Sequence, residues 1–440
     1  MSRKVLFIVG DFWPTRTGGT IRVEKLIKYL PAHDWKGVVF TKKMPLMNDY
    51  EQIDGTSIYR SNAYNLPSVY IKIKQFFQRK NNNRTPVLDA KVKPGTEKKN
   101  GTKSPAAAAG NANNRLADYV FVPDVDIFWA LGALRKIRTT VKKEEIEVIY
   151  SSSPFASVHI AALLYRKFMN KSIKWVVEFR DPWTFNPFRN NKLPFFEQMD
   201  HKLESIVLKS CDQIIVTSEA YKVEFLEKYP SLPADKITFI PNGYDSDDFS
   251  SLKPKDTVLN SKLKIIHAGN FYGKRSIKPF LESLNAIYLQ QPDLINKVLV
   301  TQYGVIDPDG EAYNLANPNP LFELKAAIPH KDSLQEIMNA DWLLLVPGPG
   351  AGTMPGKLYE YLATGNPIIA LVEEGPAKEL ILKLNIGYIS SPERVDDLSK
   401  ILLEVIEGRS PYKRLDNDSP ELKRFDRKNI AQEVAQLLNV

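Results

Sequence analysis

Trp342-Leu-Leu-Leu-Val346-Pro-Gly-Pro-Gly-Ala-Gly-Thr-Met-Pro-Gly-Lys357-Leu-Tyr-Glu360-Tyr-Leu-Ala363-Thr-Gly365-Asn-Pro367-Ile-Ile-Ala-Leu-Val372 is the stretch that decides the fold. It opens on a short apolar run, 342–346, which reads as a buried strand. A loop dense in glycine and proline follows, and residues 357–363 then carry a helical pattern. A second apolar run, 367–372, closes the unit. Apolar strands joined through a helix imply a parallel sheet covered on both faces.

The alternation extends outward from this unit. Downstream lie a helix over 377–384, a strand over 387–390 and one more helical pattern within 420–440. Upstream are strands 263–268 and 298–301 with a helix near 277–289. A separate series precedes Asn242-Gly243, with strands at 5–9, 37–40, 148–151, 175–179 and 213–217 and helices at 20–30, 157–168 and 197–210. Two series predict an α/β chain with two doubly wound, Rossmann-like domains facing a central cleft. The expected divisions are 1–245, 246–415 and a terminal helix in 416–440 that crosses back to the first domain. Ligands of such sheets sit beyond the carboxyl ends of the strands, so the cleft is the expected site.

Composition narrows the class. Of 440 residues, 43% are hydrophobic and 25% charged, which excludes a wholly disordered or fibrous chain. A single cysteine, Cys211, excludes an intramolecular disulfide and a multi-thiolate metal site. No apolar run approaches the roughly 18–20 residues of a membrane helix, and the apolar run 5–9 is too short for a secretory signal. A soluble protein of the reducing cytoplasm is expected. The net charge of +9 is local: residues 71–115 hold eleven Lys/Arg against Asp89 and Glu97, and the rest of the chain is neutral. The core of that segment, 81–114, is mostly small and polar and reads as a disordered insertion. Its basicity suits a solvated loop or attraction to an anionic membrane face. It lacks the aromatic side chains that stack on bases, so nucleic acid is not an expected partner.

Four constellations could carry chemistry. Gly18 and Gly19 close a loop that leads from the first strand into a helix, where free N–H groups can meet an anion; the spacing is not Gly-x-Gly-x-x-Gly. In the quoted stretch Lys357 and Glu360 share one helix face at i, i+3, with Ala351 and Leu358 ruling out a Walker A loop. A cation beside free N–H groups suits a diphosphate and a carboxylate suits sugar hydroxyls; a surface ion pair is the plainer reading. Arg180, Asp181 and Trp183 end the strand 175–179, either pointing into the cleft or bracing the turn. Gly269, Asn270, Lys274 and Arg275 follow strand 263–268, with the guanidinium suited to phosphate. The Asp-x-Asp pairs at 124/126, 245/247 and 307/309 recur in unrelated contexts, and the five histidines have no ligand spacing, so no metal site is expected. His159 lies in an apolar helical run and reads as packed; Ser151-Ser-Ser153 has no nucleophile elbow.

Taken together these residues resemble the retaining GT-B glycosyltransferases of group 1, or family 4. The resemblance rests on Gly18-Gly19, Leu208-Lys-Ser-Cys-Asp-Gln-Ile-Ile-Val-Thr-Ser218, Ile240-Pro-Asn-Gly-Tyr-Asp245 with Phe249, and Lys357-Leu-Tyr-Glu-Tyr-Leu-Ala-Thr-Gly-Asn-Pro367. It implies a transferase that moves a sugar from a nucleotide-sugar to a glycan or lipid-linked acceptor with retention. No cofactor or metal is implied, and the setting is polysaccharide assembly on the cytoplasmic membrane face. Glu360 matches the second glutamate of the family's Glu-x7-Glu motif, which holds ribose hydroxyls. Arg275 and Lys357 would contact the diphosphate above Gly19, with Gly18, Gly269, Asn270, Thr353, Met354 and Gly356 completing the donor side. The motif's first glutamate falls on Gly352, which leaves backbone N–H groups to stand in. The family's His-Asp appears as Arg180-Asp181, so Asp181 would orient the acceptor beside Arg180 and Trp183. Arg275, Lys357 and Asp181 are thus the implied catalytic set, and domain closure would hinge near 242–245. Two competing readings are a non-catalytic sugar-nucleotide scaffold and a sugar-nucleotide epimerase of the same fold.

Overall fold

The computed structural model describes all residues except 1, 16–17, 63–120, 187–188, 190–191, 254–261, 272–274, 348–353, 417–418 and 440. The insertion expected at 81–114 lies outside the described residues, as do Lys274, Gly352 and Thr353.

Fourteen strands are described: β1 (Arg3–Val9), β2 (Trp35–Lys43), β3 (Tyr50–Ile53), β4 (Thr56–Asn62), β5 (Val148–Ser152), β6 (Lys174–Phe179), β7 (Gln213–Val216), β8 (Ile237–Phe239), β9 (Leu263–Ala268), β10 (Val298–Tyr303), β11 (Phe322–Lys325), β12 (Trp342–Leu345), β13 (Ile368–Leu371) and β14 (Gly387–Ser390). They run in the orders β3-β4-β2-β1-β5-β6-β7-β8 and β11-β10-β9-β12-β13-β14. Strand order reverses between β1 and β5 in the first sheet and between β9 and β12 in the second. The carboxyl edges beside those reversals are where such sheets take ligands. The parallel expectation holds for the pairs that build the second sheet but fails at one edge of the first, where β3 pairs antiparallel to β4. β3 is half-exposed, so a short polar edge strand needed no apolar run to signal it.

By its contacts the chain divides into two compact units. One comprises Lys4–Pro14 and Gly37–Asp212. Its central strands β1 and β5 are almost wholly buried, paired in register from Val5↔Val148 to Val9↔Ser152. The other unit comprises Met1–Arg3, Thr15–Lys36 and Gln213–Val440. Here the period of two along each strand fills two cores. Trp342 and Leu344 of β12, Ile369 and Leu371 of β13 and Ile265 of β9 pack on one face. Leu343, Leu345, Ile368, Ala370 and Ile266 pack on the other.

Within this second unit the start, middle and end of the chain are bonded together. Arg22, on the helix Gly18–Tyr29, is 2% exposed and donates to the carbonyls of Ile240 and Pro241. Buried Asp245 accepts from Lys25, Lys28 and Tyr29, and Asp247 pairs with Lys28 and Lys428. Tyr244 N donates to Phe425 O (2.9 Å) and Arg427 N to Tyr244 O (2.8 Å). Arg3 Nη1 meets Asn439 Oδ1 at 2.7 Å. Asp245 and Asp247 are therefore ion-pair partners, which accounts for one of the three Asp-x-Asp pairs. The other two act elsewhere: Asp307 caps the helix Pro308–Ala316 through Gly310 N (3.0 Å), and Asp124 binds Ser157 N and Oγ at the start of the helix Ser157–Phe168.

Candidate active site

The carboxyl ends of β9 and β12 gather several of the residues expected on the donor side. Chain leaving β9 passes through Gly269 and Asn270, and Arg275 then turns back so that its Nε donates to Pro347 O, just past β12, at 2.7 Å. The helix Gly356–Thr364 begins a few residues later with no side chain capping its N-terminus. Among the described residues a β-carbon on Gly356 would meet nothing within 4 Å, so they leave this helix start open. Uncapped N–H groups at the end of a parallel strand favour an anion.

Lys357 and Glu360 lie on this helix. Lys357 Nζ is 2.7 Å from Glu360 Oε2, and His330 Nε2 is 3.1 Å from Glu360 Oε1. Desolvation works against the Glu360 charge, but His330 and Lys357 outweigh it and hold the carboxyl at about 2. The surface-pair reading of Lys357 and Glu360 is thus correct as geometry, and it leaves a charged carboxylate at the carboxyl edge of the sheet.

Beneath these groups lies a pair that spacing along the sequence does not reveal. His267 of β9 sits opposite Gln302 of β10, with Nδ1 2.7 Å from Gln302 Oε1. The Gln302 amide nitrogen donates to Gly269 O (2.7 Å) and Tyr303 O (2.9 Å), so its oxygen must accept. His267 therefore carries its proton on Nδ1. A β-carbon on Gly269 would stand 3.5 Å from His267 Cε1 and 3.7 Å from Lys357 Cε, so glycine keeps the imidazole and the ammonium on one open slot. Burial, with the Lys357 and Arg275 charges, drives the imidazole down to about 4 and keeps it neutral.

Not every expected donor-side residue faces outward. Asn270 Oδ1 accepts from Val305 N (3.0 Å), bracing the loop after β10, and Met354 packs against the core. Gly18 and Gly19 form the first turn of the helix Gly18–Tyr29 rather than a loop.

The acceptor-side trio lies in the other unit, beyond β5 and β6. Asp181 and Trp183 line a cavity of about 300 Å³ together with Ser153, Phe155, Arg189 and Lys192. Arg180 Nε donates to Ser153 O, which ties the two strand ends together. Trp183 is buried, with Nε1 3.1 Å from Asp200 Oδ1, so it is a wall rather than a mobile contact. Arg189 and Lys192 are both spent on Asp200, each at 2.6 Å. Asp181, by contrast, is exposed, and among the described residues its carboxylate has no hydrogen-bond partner. Desolvation raises its pKa while the Arg180 charge opposes the shift. Phe155 holds φ 71° at the cavity wall, a costly backbone for a bulky residue. Behind the wall His159 is fully buried on Ser151 Oγ (2.9 Å), so it packs as expected. Among the described residues no group of three His, Cys, Asp or Glu is placed to hold a metal ion.

The model of Glycosyltransferase Family 4 matches residues 99–248. Solved structures match along nearly the whole length. Sucrose-phosphate synthase from Thermosynechococcus elongatus is 15% identical with a TM-score of 0.62, over 99% of this chain and 98% of that one. HepE of Anabaena in complex with UDP is 14% identical with a TM-score of 0.59, over 99% of each chain. The lipopolysaccharide outer core galactosyltransferase WaaB, in its apo form, gives 14%, 0.59, 99% and 100%. This chain resembles Glycosyltransferase Family 4 over residues 99–248 and shares the GT-B fold of these solved glycosyltransferases. No curated protein matches it in sequence. Among the described residues of this chain no helix is long and apolar enough to cross a membrane. Beside the residues expected on the donor side, the structure adds the pair His267 and Gln302, which no motif in the sequence announced.

Proposed function

We propose that the chain transfers a hexosyl or related sugar, with retention and without a metal, from a nucleotide-sugar to a glycan or lipid-linked acceptor in cell-surface polysaccharide assembly. The observation that carries this reading is the convergence of Arg275, Lys357 and a charged Glu360 at the switch point of the second sheet. Two further Anabaena HepE structures hold UDP with glucose and UDP-glucose. In this reading Glu360 takes the ribose hydroxyls, while Arg275, Lys357 and the open helix start stabilise the charge that develops on the departing diphosphate. Two fixed cations aimed at that charge supply the electrostatic role a divalent ion would otherwise fill. Asp181, whose carboxylate has no partner among the described residues, orients the acceptor hydroxyl. The basic segment 71–115 favours a place at an anionic membrane face.

Thermal shift against UDP-, GDP-, ADP- and dTDP-sugars, with wild type beside Glu360→Ala, tests the donor half. A ligand bound only by the native state raises the melting temperature. The expected result is a shift with one nucleotide class that Glu360→Ala abolishes. A shift with no turnover on any acceptor would favour a sugar-nucleotide scaffold, and turnover without acceptor an epimerase. No shift with any donor would sink the reading.

A further inference from the structure

The helix Pro194–Ser210 has its chemistry reversed. Asp200 and Glu204 are 0% exposed, whereas Phe195 is 66%, Met199 39% and Ile206 44% exposed. The buried acids are accounted for: Asp200 binds Trp183, Arg189 and Lys192, and Glu204 binds Thr184. The remaining acid, Glu197, is drawn aside by Arg189 and His201. On the outer face Phe195, Met199, Lys202, Ile206 and Lys209 recur every three or four residues and are all exposed, which makes them one stripe. Leu193, 55% exposed, extends its apolar end. The stripe thus joins large apolar side chains to two lysines and contains no carboxylate.

We propose that this stripe docks the glycosyltransferase on an anionic lipid surface, with Phe195, Met199 and Ile206 entering the headgroup–acyl boundary and Lys202 and Lys209 on lipid phosphates. The inference rests on the reading that the acceptor is lipid-linked, and it names the surface that reaches it. The lysines decide between occupants. Lysine is depleted at protein–protein interface cores, whereas helices that lie in a membrane interface pair Phe or Leu on the apolar side with Lys or Arg at its margin. Long ammonium side chains also reach up to phosphates while their stems stay in the boundary.

Sedimentation of the full chain with vesicles of phosphatidylcholine, alone or with phosphatidylglycerol, tests this. Wild type is expected to bind the anionic vesicles and to release in high salt. Lys202→Glu with Lys209→Glu should weaken binding by at least about 25-fold, from about fivefold per lysine lost. A Phe195→Ser, Met199→Ser, Ile206→Ser variant should bind at least about tenfold more weakly. Equal sedimentation of all three proteins overturns the proposal and assigns any membrane contact to another part of the chain, such as 71–115. A dimer in light scattering that both variants dissociate also overturns it, by assigning the stripe to a second copy. Nucleotide-sugar binding in the same preparations shows that the variants are folded. Its absence in wild type would count against the donor reading while leaving the vesicle result intact.

Discussion

Lys357 Nζ stands 2.7 Å from Glu360 Oε2, so a diphosphate that recruits this ammonium must draw it from the carboxylate. The pair is partly open to solvent, at 31% and 23% exposure, and such pairs are worth about 0–1 kcal/mol. The exchange is therefore inexpensive, and in the proposed mechanism it leaves Glu360 for sugar hydroxyls. Arg275→Ala and Lys357→Ala should each lower turnover by roughly ten- to a thousandfold, as removal of one preorganised donor does. Nucleoside diphosphate release under saturating acceptor would measure it; unchanged rates in both variants would remove these residues from the mechanism. Lys357 and Glu360 were legible in the sequence because i, i+3 spacing alone puts them on one helix face. His267 and Gln302 were not. They meet because β9 and β10 align in one register, and a sequence separation of 35 carries no trace of that alignment.

Among the elements, apolar runs buried on both faces were readable to the residue: β9 and β14 begin and end where their sequences predict. The exposed edge strand β11 was missed because three of its four residues face solvent, which leaves no apolar run. Domain closure was expected to hinge near 242–245. Within that segment Tyr244 is bonded to the C-terminal tail. Gly243 makes that fastening possible. Its φ is 68°, and a β-carbon there would lie 2.4 Å from both Ile430 Cδ1 and Phe425 O. The methyl could shift, but the backbone carbonyl is held by its bond to Tyr244 N. Gly243→Ala is therefore expected to cost roughly 2–4 kcal/mol, from left-handed backbone strain and overpacking together. Urea denaturation of the variant would show it as a lower midpoint at unchanged slope; a midpoint equal to wild type would mean the tail repacks freely.

For the molecule as a whole, the two doubly wound sheets were legible because the central strands of each series are apolar, while the assignment of Thr15–Lys36 to the unit that holds the C-terminus was not. That helix is claimed by charges and carbonyls more than 200 residues away. Acid should expose a weakness shared by both units. His159 is held neutral by burial down to about 3, and His267 by burial and neighbouring cations down to about 4. Each folded pKa lies below the unfolded 6.5, so below that pH the unfolded chain binds more protons. Stability should be full above pH 6.5 and fall as pH drops toward 4, at up to about 1.4 kcal/mol per pH unit for each histidine. Chemical denaturation at pH 7.5 and 5 would reveal the slope, and a His159→Asn, His267→Asn double variant should flatten it. A wild-type slope of zero across that window would refute the account.

The bond between Arg3 and Asn439 spans 436 residues of chain. At roughly 5–20 residues per second of synthesis, the first of these partners waits on the order of 20–90 s for the second to leave the ribosome. Lys25 and Arg22 wait for Asp245 and Pro241 in the same way, at about half the distance. The helix Gly18–Tyr29 therefore stays unanchored until about half of the chain has been made. A ribosome that stalls before that point releases a chain whose Lys25 and Lys28 still lack the Asp245 carboxylate.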